Sequence, residues 1–404
     1  MEKLHVLIVG GGMISQEVII PTCCQERRFG RVASVAVSAL DGKITGKVKA
    51  LFPKEDILYH PDPAKVPADK PFPDLFKTAL DELAARSGPK AVVVATPDHL
   101  HTMVIREATK RGLDCVVEKP LCLKVSEVHE IEALAAPKAL YVYTDFHKRH
   151  DPAVRAARYR YRKGDLGQLL HAHAWIEEKK EMPLSNFAAW AHDSSSFEYI
   201  GVHYADAYYF ITGLKPVRVH GYGQRKWLHT KGSKAYDAVQ AVVEWEDGSV
   251  YWIQTSWVLP QSNSSLTNQG FQMTGTKGEH KADHKDRHCY FVTDEGGFEH
   301  YNPLFYKGYN DWDDPEIVEW FGYGYWSIKQ GLDDIARIHE ATKGKSEAET
   351  LAVRRKMLAD WAATRPLPNQ ALVGTAINEA VRLSFSNGNR GVVFDEKMNP
   401  RLAE

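Results

Sequence analysis

The chain has 404 residues, a length that suits two or three domains and a sizeable core. A formal net charge of −1, with 25% charged and 44% apolar residues, is the composition of an ordinary globular protein; no basic excess points to nucleic acid and no charged tail is visible. No stretch reaches the ~18 consecutive apolar residues of a membrane span, and the short apolar run before the first glycines is not that of a signal peptide.

Leu4 to Val9 reads as a short strand, followed at once by Gly10-Gly11-Gly12-Met13-Ile14-Ser15 and an apolar helical segment from Ile14 to Ile20. Strand, glycine turn and helix are the context in which a G-x-G-x-x-G pattern binds a dinucleotide. Gly10 permits the tight turn, Gly12 lets backbone approach a pyrophosphate, and the helix N-terminus offers N–H groups to the phosphates. Ser15 stands where the third glycine is expected. A second strand, Val32 to Val37, ends at Ser38 and Ala39, with Asp41 and Lys43 just beyond. An acid at this strand end usually holds the ribose hydroxyls of NAD. Ser38 with Lys43 slightly favours the 2′-phosphate of NADP, and Asp41 keeps NAD open; a polar loop without cofactor contact is the alternative for these side chains.

Prolines between residues 52 and 73 mark a loop region, and Leu75 to Ala85 reads as a helix with Asp74 as its N-cap. Ala91 to Ala95 is a strand that runs into Thr96-Pro97-Asp98-His99-Leu100-His101. A helix to about Arg111 follows, ended by Gly112. Asp114 to Glu118 is then a buried strand that must stop at Lys119, because Pro120 has no N–H to give to a ladder. The carboxyl ends of parallel strands are where ligands bind, so Lys119 is a candidate proton-transfer group; a surface salt bridge with Glu118 is the alternative. Ser126 is expected to cap a helix to about Ala135, and Leu140 to Thr144 is a further strand. The β-α-β alternation predicts a doubly wound parallel sheet over residues 1–145.

Residues 146–404 read as a second domain of different build. Asp151 to Arg162 is a basic helix, and Tyr204 to Thr212 a short one ended by Gly213. Strand signals recur at Leu169 to Ile176, Val217 to Tyr222, Ala238 to Trp245, Ser249 to Ser256, Phe271 to Thr274 and His288 to Val292. Glu246-Asp247-Gly248 marks a hairpin. Such a series predicts a large, mostly antiparallel open sheet in an α+β domain. Leu351 to Ala363 and Asn369 to Phe385 are helices, and Val392 to Phe394 a last strand. Ten Trp and eighteen Tyr, many between Trp175 and Tyr325, suit either a carbohydrate-handling surface or a sheet interface. Cys23, Cys24, Cys115, Cys122 and Cys289 show no metal spacing and read as reduced thiols of a cytoplasmic protein. His280, His284 and His288 recur every four residues among strand and turn signals, where that spacing does not converge, so no metal site is expected.

Five segments in order carry a resemblance: Gly10 to Ile14, Thr96 to His101, Val117 to Pro120, Phe146-His147-Lys148-Arg149-His150-Asp151-Pro152 and Ile200-Gly201-Val202-His203. With them the chain resembles the Gfo/Idh/MocA family of NAD(P)-dependent sugar and inositol oxidoreductases. The resemblance implies a Rossmann domain followed by an α+β domain, one sheet face serving substrate and the other subunit contacts, hence a homo-oligomer, dimer or tetramer. It implies that Lys119 serves both nicotinamide and substrate and that His203 is the acid/base at the reacting hydroxyl. Met13, Ile14, Thr96, Pro97, His99, His101 and Glu118 join Gly10 and Gly12 as candidate cofactor contacts, ordinary loop histidines being the alternative for His99 and His101. Lys148, Trp190 and His192 are candidate substrate contacts, core packing or a solvated loop being their alternatives. Many relatives carry an aspartate four residues before the histidine, where this chain has Tyr199. Tyr199 can act as an acid/base or only as a hydrogen-bond donor. Asp206, three residues after His203, can orient it or lie on a helix surface. The expected activity is oxidation of a secondary hydroxyl of a sugar, glycoside or cyclitol. Oxidation-initiated glycoside cleavage through a 3-keto intermediate, with the cofactor recycled, is the alternative, and a non-catalytic nucleotide sensor a third.

Overall fold

The computed structural model describes residues 2–263, 265–284, 288–293, 297–301, 305–311, 314 and 316–404. The chain divides into two compact units. The first is Met1–Leu121, Glu127–His147 and Phe305–Gln370, and the second is Cys122–Ser126, Lys148–Leu304 and Ala371–Glu404.

The first unit is built on strands β1 (Leu4–Val9), β2 (Val32–Ser38), β3 (Ile57–His60), β4 (Lys90–Val94), β5 (Asp114–Glu118) and β6 (Val142–Asp145). They lie in the order β3-β2-β1-β4-β5-β6, every neighbouring pair parallel. This is the doubly wound order with its reversal between β1 and β4. Helices α1 (Ile20–Arg28), α2 (Gly42–Leu51), α3 (Leu75–Ala84), α4 (His101–Lys110) and α5 (Val125–Ala135) connect them. All five residues of β5 are buried, as a strand covered on both faces requires. The expected parallel sheet is therefore present; β3, inside the proline-marked stretch, is an addition to it.

Two expected caps are not made. The Asp74 side chain accepts no capping bond and pairs with Lys77 at 2.5 Å. Ser126 lies inside α5, whose Val125 N–H is taken by the Glu379 carboxylate at 2.7 Å.

The second unit holds helices α6 (Pro152–Lys163) and α7 (Val202–Thr212) and the strands β7 (Leu169–Lys179), β8 (Pro216–Gln224), β9 (Ala238–Trp245), β10 (Val250–Leu259), β11 (Thr267–Gly275), β12 (Gly278–Asp283), β13 (His288–Thr293) and β14 (Gly297–Tyr301). The chain then returns to the first unit through the antiparallel pair β15 (Lys307–Asn310) and β16 (Val318–Phe321), α8 (Tyr323–Thr342) and α9 (Glu347–Trp361). It closes on α10 (Pro368–Ser386), β17 (Val392–Phe394) and β18 (Pro400–Leu402). The described strands of the second unit form one sheet, β14-β13-β12-β11-β7-β10-β9-β8-β17-β18, antiparallel at every step except β7–β10. In β7 burial alternates, with Ala172, Ala174 and Ile176 inside and His173, Trp175 and Glu177 on the other face. On the covered face α10 comes so close to β8 that a Cβ at Gly221 would lie 2.5 Å from the Val381 carbonyl oxygen.

A single boundary at residue 145 does not describe this division. Ile328, Leu332, Ile335 and Ile338 of α8 share one core with Val6, Ile8, Val93 and Val116 of the parallel sheet. Gly331 lets α8 approach β5, since a Cβ there would meet Val116 Cγ2 at 2.7 Å. The sequence signal was the i, i+3, i+4 spacing of those apolar residues.

Candidate active site

In the first unit the turn after β1 is shaped by one close approach. Gly10 has φ +117°, and a Cβ on it would lie 2.1 Å from the Ala95 carbonyl oxygen, so no side chain fits. Its N–H donates to the Ser38 carbonyl at 2.8 Å, joining the turn to β2. Gly12 is exposed, and a Cβ there would meet nothing within 4 Å. Met13 and Ile14 are half-buried at the start of the helix, which continues through a π turn at Ser15–Ile19 into α1. The Ser15 and Thr96 hydroxyls are buried without a hydrogen-bond partner. An open glycine backbone, a helix N-terminus and two uncommitted hydroxyl donors are a donor set that fits the phosphates and ribose of a dinucleotide.

At the end of β2, Ser38 is buried at 2% exposure and Lys43 is exposed. Asp41 caps α2, one carboxylate oxygen accepting from the Ile44 N–H at 2.8 Å. Thr96 and Pro97 are half-buried after β4, and His99 is exposed. His101 is fully buried. Its Nδ1 lies 2.8 Å from the Pro120 carbonyl oxygen and its Nε2 2.9 Å from that of Thr96. The ring ties the loop after β4 to the turn after β5.

Lys119 follows the last residue of β5 at 7% exposure, ahead of a cis bond to Pro120. Behind it, Glu118 faces Asp145 across the β5–β6 register, and both carboxyls are buried. Burial first, then the neighbouring Asp145, pushes the Glu118 carboxyl well above the usual range, with the Lys119 ammonium opposing. Burial raises Asp145 to about 6, opposed by Ser327, Glu118 and Lys119. Ser327 on α8 donates to Asp145 Oδ1, and the Tyr143 hydroxyl lies 3.0 Å from Ser327 Oγ.

In the second unit a π turn, Phe197–Gly201, leads into α7 and carries Glu198 and Tyr199. Such turns interrupt helices where a side chain must be re-aimed. Glu198 is buried and gripped by the Arg382 guanidinium, Nε at 2.6 Å, while the Asn378 amide donates to the Glu198 carbonyl at 3.3 Å. Tyr199 packs edge-on against Phe187 (4.7 Å between ring centres) and Trp190 (5.3 Å). Two expected site residues, Tyr199 and Trp190, are thus brought together. Trp257 lies 6.4 Å from Tyr199 and is fixed by an Nε1 bond of 2.9 Å to buried Glu178. His192 is exposed, 3.6 Å from Asp193.

His203 is buried on α7 at 4% exposure. Asp206 is not a surface acid: it is 1% exposed and bound by Arg149 through Nε at 2.8 Å and Nη2 at 2.5 Å. Lys148 is likewise buried, its ammonium 2.8 Å from Gln269 Oε1 and 3.4 Å from His284 Nδ1. Tyr204 places its hydroxyl 2.9 Å from the same His284 nitrogen. Sequence reasoning did not single out Asp145, Ser327, Gln269 or Arg382, each of which binds a candidate residue or its neighbour. The one visible signal was an acid, Asp145, closing an otherwise apolar strand. His280 is buried on β12, where burial lowers its pKa to about 4; the side chains of His288 and Cys289 lie outside the described residues. Among the described residues no group of three or more His, Cys, Asp or Glu is arranged to hold a metal ion, and no helix is long and apolar enough to cross a membrane.

Residues 4–146 match the oxidoreductase family with an NAD-binding Rossmann fold, and residues 154–281 match the GFO/IDH/MocA C-terminal domain. The chain belongs to the Gfo/Idh/MocA family. Within it, 227 residues are 24% identical to 2,7-anhydro-N-acetylneuraminate hydratase of Mediterraneibacter gnavus, covering 52% of this chain and 59% of that protein. Over 200 residues it is 24% identical to scyllo-inositol 2-dehydrogenase (NAD(+)) of Bacillus subtilis, covering 49% and 56%. The chain thus spans less than two thirds of the length of these two Gfo/Idh/MocA relatives. An inositol dehydrogenase homolog of Azotobacter vinelandii, solved with NADH and myo-inositol, has the same fold, with a TM-score of 0.72 at 19% identity over 97% of this chain and 98% of that one.

Proposed function

We propose that this Gfo/Idh/MocA protein transfers a hydride between a nicotinamide dinucleotide and a secondary hydroxyl of a sugar, glycoside or cyclitol. The observation that carries this reading is Lys119, a buried lysine at the carboxyl end of a parallel strand in a sheet whose first turn fits a dinucleotide. The bound nicotinamide supplies the hydride acceptor or donor. Oxidation also releases a proton from the hydroxyl, and His203 takes it, imidazole being the side chain that changes charge near neutral pH. Lys119 holds the oxygen and stabilises negative charge developing there. Tyr199 donates a hydrogen bond to the same substrate, where many relatives carry an aspartate. Trp190 stacks on the apolar face of a sugar ring, and Lys148 and His192 contact its hydroxyls. Gly10, Gly12, Met13, Ile14, Thr96, Pro97 and His99 line the cofactor, and Glu118 and His101 support it from behind.

NADP is the favoured cofactor in this reading. β2 ends on Ser38 without an acid, Asp41 has one oxygen committed to its helix, and Lys43 is exposed nearby. Self-association, as a dimer or tetramer, is assigned to the open face of the second sheet. There Trp252, 47% exposed, stacks on His173 with ring centres 4.9 Å apart.

The test is to release and identify any bound nucleotide, then add sugars, glycosides and cyclitols with NAD or NADP while following the absorbance of the reduced nicotinamide. Stoichiometric reduction supports the dehydrogenase; absence of turnover with every member of the set contradicts it. A second reading, oxidation-initiated cleavage or hydration with the cofactor recycled, is favoured by the relative named as a hydratase, a reaction without net redox change. Product formation without accumulated reduced cofactor would select it.

A further inference from the structure

Glu118 and Asp145 are a buried carboxyl pair immediately beside Lys119. The parallel register puts them opposite one another at the ends of β5 and β6, at 4% and 2% exposure. The two side chains share a hydrogen bond. Two carboxylates have no hydrogen between them, so one of the pair is an acid. Two like charges this close in a dry site cannot both ionise cheaply. The hydrogen bonds around each carboxyl decide which keeps the proton. Asp145 accepts from Ser327 Oγ as well as from Glu118, so the donors fall on Asp145 as the anion. Glu118 Oε1 is buried without a hydrogen-bond partner, which suits the neutral acid. Among the described residues the groups recorded against the pair are Lys119, just after β5, and Ser327 from α8, with Tyr143 of β6 behind Ser327.

We infer that Glu118 and Asp145 hold one proton between them and act, as a unit of single negative charge, as positioning residues for the Lys119 ammonium. Both ionised would set two like charges side by side in a buried place, and both neutral would remove the pair's attraction for the ammonium. Glu118 donates to Asp145, and Asp145 carries the charge. The salt bridge between neighbours in sequence is replaced by a three-residue arrangement in which the acid next to the lysine is the neutral one. This role rests on Lys119 being the group that holds the reacting oxygen.

The shared proton is read without any substrate. The infrared difference spectrum between the wild-type chain and Glu118→Gln at neutral pH is expected to show the carbonyl stretch of a protonated carboxyl in the wild type only. Its absence from the wild type, or its survival in Glu118→Gln, overturns the pair. The positioning role is read as an asymmetry in kcat with whichever substrate turns over. Glu118→Gln keeps a neutral donor to Asp145 and is expected to cost severalfold. Asp145→Asn removes the charge and is expected to cost at least about tenfold more, with KM for the cofactor little changed. Equal losses, or no loss in Asp145→Asn, overturn it. Ser327→Ala, which takes a donor from the anion without touching either carboxyl, is expected to move the pH profile of kcat upward, and serves if Asp145→Asn does not fold. Should no substrate turn over at all, the reading of Lys119 fails while the infrared band still decides the pair.

Discussion

A carboxyl buried away from water gives up its proton later than the same group in an unfolded chain, even where hydrogen-bond donors favour its anion. Burial pushes the Asp145 carboxyl up to about 6 in the folded protein, against a usual value of 3.8. The native state therefore binds more protons than the unfolded state between those values. Stability contributed by the bound proton is complete below the unfolded value and is lost as pH rises through about 6. Urea unfolding across that window should give a shallower loss of stability with pH in Asp145→Asn than in the wild type; parallel profiles would contradict a buried Asp145 carboxyl that holds its proton to about pH 6. The Arg149–Asp206 pair behaves differently, because its two charges neutralise each other in a buried site. Asp206→Ala leaves a buried guanidinium without its partner and should cost about 3–5 kcal/mol in chemical unfolding. At this scale Lys119 was legible, since an apolar run followed by proline dates the end of a strand. The partners were not. Arg149 and Asp206, or Glu198 and Arg382, are far apart in the chain, and no spacing rule joins them before the fold does.

Turns and helices carry the next set of constraints. Gly10 and Gly12 look equivalent in the motif but are held by different contacts. Gly10→Ala forces a Cβ against the Ala95 carbonyl at a positive φ, so it should destabilise the first unit itself. Gly12→Ala adds a methyl to open space and should leave thermal stability near wild type while weakening nucleotide binding measured by calorimetry. Equal loss of stability in both variants would contradict this division of roles. Likewise Gly331→Leu drives a side chain into Val116 and should lift α8 from β5, costing about 1–3 kcal/mol or more. The strands were largely readable because alternation in the second unit and continuous apolar runs in the first are direct consequences of one-sided and two-sided burial. The π turns at Ser15–Ile19 and Phe197–Gly201 were not, since one inserted residue in a helix changes no composition or period that a short window detects. Helix α8 was hidden by glycines at 322, 324 and 331, residues that usually end helices.

For the molecule as a whole, the chain supplies a dinucleotide turn, a lysine at a strand end and a histidine on a helix in an order that the family matches now place in Gfo/Idh/MocA. That order was legible because it is linear. The return of residues 305–370 to the first unit was not, because a chain that leaves a domain and comes back shows no break in composition. In the second unit Tyr199 sits against Trp190 and Phe187, so aromatic area rather than a carboxylate stands at the position four residues before His203. The most direct measurement is the appearance of reduced nicotinamide when a sugar or cyclitol is added to the wild-type chain and to Lys119→Ala, with circular dichroism recorded on both. The proposed role predicts reduction by the wild type and none by a Lys119→Ala protein that keeps its folded spectrum and still binds nucleotide. Equal rates of reduction in the two proteins would contradict it.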